Sequence, residues 1–337
     1  MTGGIHKSER ELTQPVDLCL PNGRLNPAAV GWSRHPLHRA NLRGWGRNKR
    51  FEYWCVTTPE IAVAINVSHG DYRVTLATFF LDIARVEAFS QAEIHWLPRD
   101  RTPAMPERSG QGDTIGRGDA MQIAMRATPT GVRLEADTPR LKVALDVTDG
   151  PQFESMGVVV PWDDKRFQYT RKANCLPVTG HVVADGRRYE VGGPDAYATL
   201  DHGRGRWPYS IVWNWGSGSG RCGGREIGLQ FGAKWTDGTP STENSLKIDG
   251  RVEKISQELD WVYDRSDWMA PWRIEGDRVR LVFTPLYDRI ADFDRIIVCS
   301  KEHQVFGWFD GEVTRESGEI VRIERIFGWV EEVHRRW

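Results

Sequence analysis

From Phe51 onward the chain is a succession of short runs in which apolar and polar residues alternate, each closed by a turn-forming pair. This period of two constrains the fold more than any other feature. In FEYWCVTT, Phe51, Tyr53 and Cys55 point one way and Glu52, Trp54 and Val56 the other. IAVAINVSHGDYRVTLATFFLDI reads as strand, turn at His69-Gly70-Asp71, strand. MQIAMRATPTGVRLEADTPRLKVALDVTDG is a three-stranded meander with turns at Pro129-Thr130-Gly131 and Thr138-Pro139. The second half keeps this texture without repeating the sequence. HVVADGRRYEV is a hairpin around Asp185-Gly186, and Asp249-Gly250, Glu275-Gly276-Asp277 and Asp310-Gly311 supply later turns. An apolar stripe at helical spacing longer than about three turns is missing. The pattern predicts an all-β, antiparallel protein of the barrel or sandwich kind, with helix below about 15%.

A chain of 337 residues suggests two domains. Pro177 to Gly180 lies between two β-rich halves and is the expected boundary. It gives an N-terminal β-domain over 1–178, whose first fifty residues are irregular, and a C-terminal β-domain over 179–337. Residues 98–118, crowded with prolines and polar residues, read as an exposed, mobile loop.

Charge excludes some functions. With 45 basic and 46 acidic residues the net charge is −1, which offers no long-range pull toward nucleic acid or anionic lipid. No stretch approaches the roughly 18 apolar residues of a spanning helix. Met1 to Gln14 is polar and lacks the apolar core of a secretory signal. The five cysteines, Cys19, Cys55, Cys175, Cys222 and Cys299, are scattered and form no C-x-x-C. These features predict a soluble, cytoplasmic protein with reduced thiols, no structural metal and no integral membrane segment.

Fifteen tryptophans are about three times the usual load for this length. They build cores, but they also line sites for flat, apolar or sugar-like ligands. The densest segment is DHGRGRWPYSIVWNWGSGSGRCGGREIG. It opens with Asp201 beside His202, followed by Arg204, Arg206, Trp207 and Tyr209. Trp213 and Trp215, two apart on a strand, share a face. Glycines at 216, 218, 220, 223 and 224 then permit tight turns or close approach of the backbone to a ligand. An Asp among aromatic rings is desolvated, which raises its pKa and suits a general acid. The competing reading makes Asp201 and His202 a strand end paired with Arg204 or Arg206.

A second segment, GWSRHPLHRANLRGWGRNKRFEYW, interleaves His35, His38 and several arginines with Trp32, Trp45 and Trp54. Such a mixture can bind single-stranded nucleic acid, but with net charge near zero arginine stacked on tryptophan is the better reading. A third segment places Asp264 and Asp267 near Trp268 and Trp272, with Tyr287 and Asp288 following. The sequence lacks G-x-S-x-G, a P-loop, a G-x-G-x-x-G after a strand and H-E-x-x-H. That disfavours serine hydrolysis, nucleotide-dependent transfer and zinc proteolysis.

GRLNPAAVGWSRHPLHRANLRGWGRNKRFEYWCV and LDHGRGRWPYSIVWNWGSGSG resemble the two signatures of a bacterial domain family of unknown function, number 2804, over nearly the whole chain. More remotely, the two β halves and Asp201-His202 are similar to the carotenoid 1,2-hydratase group, with its AttH-like members and the fungal lipocalin-like Diels–Alderases. That resemblance implies two lipocalin-like β-domains and an apolar ligand pocket at or near their junction. It also implies an acidic residue that protonates an isoprenoid double bond before water captures the cation. The group's Asp-His-Asn-Trp-Gly motif is followed here only through Asp201 and His202, because Gly203-Arg204-Gly205 comes next.

The leading expectation is therefore a cofactor-independent enzyme acting on an isoprenoid, lipid or polyketide-like molecule by acid catalysis such as hydration, isomerisation or cyclisation. Asp201 would donate the proton and His202 would orient it. Arg204, Arg206, Trp207, Tyr209, Trp213, Trp215 and Trp54 would hold the ligand. Trp213 and Trp215 would also stabilise a cation. A lipocalin-like carrier with an ionised, salt-bridged Asp201 is one alternative. The other is a carbohydrate-active protein with tryptophan platforms and two carboxylates about 5 Å or about 6.5–9.5 Å apart.

Overall fold

A computed structural model describes residues 4–98, 100–295 and 298–336. Among them there is no α-helix; the alternating runs became strands as expected. The N-terminal stretch forms only β1 (Val16–Asp17), β2 (Trp32–Ser33) and β3 (His38–Arg39), with a 3-10 turn at Pro27–Ala29. Four long strands follow: β4 (Asn48–Thr57), β5 (Ile61–His69), β6 (Arg73–Asp82) and β7 (Glu87–Trp96). Next come β8 (Thr114–Arg117) and the meander of β9 (Gln122–Thr128), β10 (Gly131–Asp137) and β11 (Leu141–Thr148). β12 (Met156–Pro161), β13 (Phe167–Ala184), β14 (Arg187–Val191) and β15 (Tyr197–Arg206) complete the first sheet, whose main path runs β7-β6-β5-β4-β15-β13-β11-β10-β9-β8.

This sheet curls. A Cβ added to Gly116 on β8 would lie 2.2 Å from Leu76 on β6, across the interior, so the far strands of the path face each other. The enclosed core includes Trp54, Val56, Val63, Leu76, Ile123, Leu134, Leu145 and Leu200.

The second sheet is built in the same way. It contains β16 (Ser210–Cys222), β17 (Arg225–Ala233), β18 (Asn244–Ile248), β19 (Arg251–Ile255) and β20 (Asp260–Val262). β21 (Trp272–Gly276), β22 (Val279–Ile290), β23 (Phe293–Arg295), β24 (Val298–Thr314) and β25 (Ile320–Arg336) follow. Its path is β19-β18-β17-β16-β25-β24-β22-β21-β20, antiparallel throughout, around Ile227, Phe231, Trp272, Phe283, Val305 and Phe309. No helix among the described residues is long and apolar enough to cross a membrane.

The chain divides into Glu11–Trp207 and a second unit made of Met1–Arg10 with Pro208–Trp337. The expected boundary at 177–180 is corrected accordingly, because Pro177 and Gly180 lie inside β13, the longest strand. The first part of β13 pairs with β12, and its second part pairs with β11 and β14. Between them is a register shift at Ala173/Leu176, where Cys175 takes φ +51°. The Pro/Gly signal marks a strand changing partners at a bulge, not a linker.

Two other expectations change. Asp310-Gly311 is a bulge within β24 and not a turn, with Gly311 at φ +135°. The 98–118 segment is not simply exposed: it contains β8, and its Ser109 and Thr114 are buried.

Candidate functional site

The central strands β4, β15 and β13 run past the apolar core, and their core-facing residues turn polar at one end. Register makes this explicit. Trp54 pairs with Leu200 and Leu200 with Ala173, all three in the core. The next row on the same face is Glu52, His202 and Arg171, and the one beyond it Arg50, Arg204 and Tyr169. Lead-in residues Leu18, Cys19, Leu25, Ala29 and Ala40 cover Phe167 and Tyr169 at that end. Residues from the 98–118 segment cover the rest.

Glu52 is the centre of the cluster. It accepts from the Thr114 hydroxyl at 2.9 Å and the Trp54 indole N–H at 3.3 Å. His202 Nδ1 lies 3.6 Å from Glu52 Oε2, outside hydrogen-bond range, and Arg204 Nη2 lies 3.7 Å from the same oxygen. Arg204, 1% exposed, donates to the carbonyls of Phe51 at 2.7 Å, Gly203 at 2.9 Å and Pro106 at 3.3 Å. Arg171 binds Asp149 through two nitrogens at 2.7 and 2.9 Å and the Ser155 hydroxyl at 2.9 Å. The two guanidinium groups thus balance two carboxylates.

Burial sets the protonation states. It is the largest influence on His202, and with the Arg204 charge it lowers the imidazole to about 4, so His202 is neutral near pH 7. Burial alone would raise Glu52, but His202, Arg204 and Thr114 outweigh it and hold the carboxyl at about 2. Burial also lowers Arg204 to about 10 and raises the Tyr169 hydroxyl to about 12. Among the described residues, four buried polar atoms of this cluster have no hydrogen-bond partner: both His202 nitrogens, Tyr169 Oη and His38 Nδ1. The rings touch in sequence, with His38 and Tyr169 centroids 4.4 Å apart and Tyr169 and His202 6.1 Å apart. A neutral imidazole beside an ionised carboxylate can accept a proton and keep the resulting charge compensated.

Asp201 stands elsewhere. Adjacent residues on a strand face opposite ways, so Asp201 shares its face with Tyr53 and Lys172 and not with His202. The expectation that His202 orients Asp201 is corrected on that ground. Lys172 Nζ lies 2.6 Å from Asp201 Oδ2, and the Thr170 hydroxyl donates to Oδ1 at 3.0 Å. The anticipated ion pair exists, but its cation is Lys172 and not Arg204 or Arg206.

Of the other expected ligand residues, Trp54 is a core residue next to Glu52, and Arg204 belongs to the cluster. Arg206 continues the same face one row further out. Trp207 donates its indole N–H to Gln168, and Lys49 Nζ lies 3.7 Å from its ring centre. Tyr209, Trp213 and Trp215 belong to the other unit. There Trp215 packs 5.2 Å from Trp329 and donates to Gln230 at 3.0 Å, while Trp213 donates to Glu331 at 2.7 Å. The glycine run serves packing: a Cβ on Gly218 would sit 3.1 Å from Phe309 and Ile326. Gly223-Gly224 forms the expected tight turn, with φ of +56° and +79°.

In the histidine-rich segment, His38 is buried with Nε2 on the Ala29 carbonyl at 2.9 Å, while His35 is exposed. Arg34 stacks on Trp32 at 4.9 Å. Asp264 and Asp267 accept from nearby backbone N–H groups in their own turns.

Two curled antiparallel sheets, one holding an enclosed carboxylate–imidazole–guanidinium cluster, define a two-unit half-barrel protein. The chain belongs to the family described as Domain of unknown function (DUF2804), which matches it over residues 9–337. No curated protein matches it in sequence. In fold it is similar to a protein assigned as AttH from Nitrosomonas europaea, with TM-score 0.52, 13% identity, and coverage of 85% of this chain and 92% of that one. CghA, solved with Sch210972, gives TM-score 0.49 at 9% identity, covering 86% and 89%. Kievitone hydratase from Nectria haematococca gives 0.47 at 8%, with the same coverage.

Proposed function

We propose that this protein is a cofactor-independent enzyme that moves a proton on an apolar small molecule of the isoprenoid, lipid or polyketide kind, in a hydration, isomerisation or cyclisation. His202 handles the proton, and Glu52 compensates the imidazolium. The observation that carries this reading is the state of His202, fully buried next to the apolar core with neither ring nitrogen hydrogen-bonded among the described residues. An unsatisfied buried imidazole costs stability, and such costs collect where function requires them. The segment over the cluster, through Pro106, Ser109 and Thr114, would open to admit substrate.

The test uses solvent deuterium. The native chain, incubated in D2O with a panel of unsaturated isoprenoids and polyketide-like ketones, should place deuterium on carbon in at least one of them. His202→Leu should abolish that labelling while melting at the same temperature or higher. Labelling that survives in His202→Leu, or none across the panel, overturns the proposal. The ion-paired Asp201 favours a second reading, the carrier, which predicts saturable binding of the same compounds without labelling.

A further inference from the structure

We propose a second acid–base site, in the C-terminal unit, that binds a flat conjugated molecule carrying an acidic hydroxyl, a phenol or enol, and takes its proton on Nε2 of His303. This goes beyond the reading given for His202 and uses none of its residues.

The site occupies a place in the second sheet like that of the Glu52 cluster in the first. Val305 and Val330 are core residues paired across β24 and β25. Asp288 pairs with Val305; His303, two residues before Val305, pairs with Glu332; and Glu332 pairs with Asn214. Asp288, His303, Glu332 and Asn214 therefore share the core-facing side, just past its apolar part. Unlike the first cluster, this one is partly open: the His303 side chain is 20% exposed and that of Lys234 29%.

Its parts have distinct chemistry. Asp288 Oδ2 lies 2.8 Å from His303 Nδ1, which fixes the proton on Nδ1 and leaves Nε2 as the basic nitrogen. Trp268 lies parallel to the His303 ring at 4.1 Å and 10°. Tyr263 lies parallel to Trp272 at 3.9 Å and 8°, and Trp268 is 5.8 Å from Trp272. Trp272 is fully buried beneath this stack, so the half-buried Tyr263 and Trp268 are the rings that a planar ligand would meet. The described basic groups on Glu332 are already engaged: Lys234 with Glu332 and with the Tyr263 hydroxyl at 2.5 Å, Arg265 with Glu332 at 2.8 Å, and His334 Nε2 3.1 Å from Glu332 Oε1. A preformed anion would meet the Asp288 and Glu332 carboxylates with no uncommitted cation between them among the described residues. A neutral acid avoids that repulsion. On arrival its O–H bond breaks and an N–H bond forms at Nε2. The imidazolium is then neutralised by Asp288 and pairs with the new oxyanion.

The full-length chain would be titrated with 4-nitrophenol at a pH below that at which the free phenol ionises. We expect a saturable nitrophenolate absorption band, and in histidine 15N spectra one imidazole converting to imidazolium. His303→Gln should keep binding, read by tryptophan quenching, but lose the band at least tenfold. Asp288→Asn should weaken the band, Trp268→Ala should weaken binding about tenfold, and His202→Leu should change neither. No saturable band with the native chain, no imidazolium signal, or a band undiminished in His303→Gln overturns the proposal. The 15N measurement needs no variant, so a misfolded substitution cannot obscure the outcome.

Discussion

Asp201 and Lys172 are both largely buried, their side chains 11% and 7% exposed, so their ion pair rests on close geometry and not on solvent. Asp201→Asn would leave the Lys172 ammonium without this counter-charge, at a cost of roughly 3 kcal/mol. Denaturant unfolding of Asp201→Asn should show that loss, and the double variant Asp201→Leu/Lys172→Met should recover most of it. A catalytic, non-structural Asp201 would show neither. The histidines set a pH dependence of definite sign. His202 and His38 are lowered to about 4 from the ordinary 6.5, in both cases chiefly by burial. As pH falls from 6.5 to 4 the unfolded chain takes up protons that the folded chain refuses, so stability present above 6.5 drains away across that window. At about 1.4 kcal/mol per pK unit the loss is on the order of 3 kcal/mol for each ring. Glu52, lowered to about 2 from 4.5, adds stability that is present above 4.5 and lost between 4.5 and 2. Unfolding free energy measured from pH 7 to 4 should fall, and the His38→Leu/His202→Leu variant should flatten the curve. At this scale His202 was visible in the sequence but its partner was not. Glu52 is one carboxylate in FEYWCVTT, and only the register of β4 on β15, some 150 residues apart, brings it to His202.

Strands were legible where alternation met a two-residue turn, as at Asp185-Gly186 and Asp249-Gly250, whose φ values are all positive as tight hairpins require. Bulges were misread as turns or boundaries, because glycine and proline signal a break in regular pairing without saying whether the strand resumes. Gly180 shows the difference. Its φ is +133°, and an added Cβ would sit 2.2 Å from the Ala144 carbonyl oxygen on the neighbouring strand. Gly180→Ala should therefore destabilise by roughly 2 kcal/mol or more, whereas the same change at Gly186, which has open space around it, should cost less. Equal losses at the two sites in thermal melts would contradict this account of β13. Gly218→Val tests packing in the same spirit. With Phe309 and Ile326 at 3.1 Å, overpacking should cost about 1–3 kcal/mol.

For the whole molecule, the division at Trp207/Pro208 makes a sharper claim than any boundary inferred from composition. A fragment of residues 11–207 should unfold cooperatively. One of residues 1–178 should not, since it cuts β13 short and leaves β4 without β15; the opposite result would refute the division. The C-terminal unit also depends on the first ten residues. Lys254 and Glu9 form an ion pair at 2.7 Å, with side chains 4% and 2% exposed, and Lys7 pairs with Glu258 at 2.7 Å. Deleting residues 1–10 should lower the stability of that unit by roughly 3 kcal/mol or more, and Lys254→Met in the shortened chain should restore part of it. The pairing also has a consequence in time. Glu9 and Lys254 are 245 residues apart. At about 5–20 residues per second, Glu9 leaves the ribosome on the order of ten to fifty seconds before its partner is made. The segment carrying Glu9 is thus placed long after it is made, and a fusion that holds it elsewhere during synthesis would delay the second half-barrel while the first has already closed.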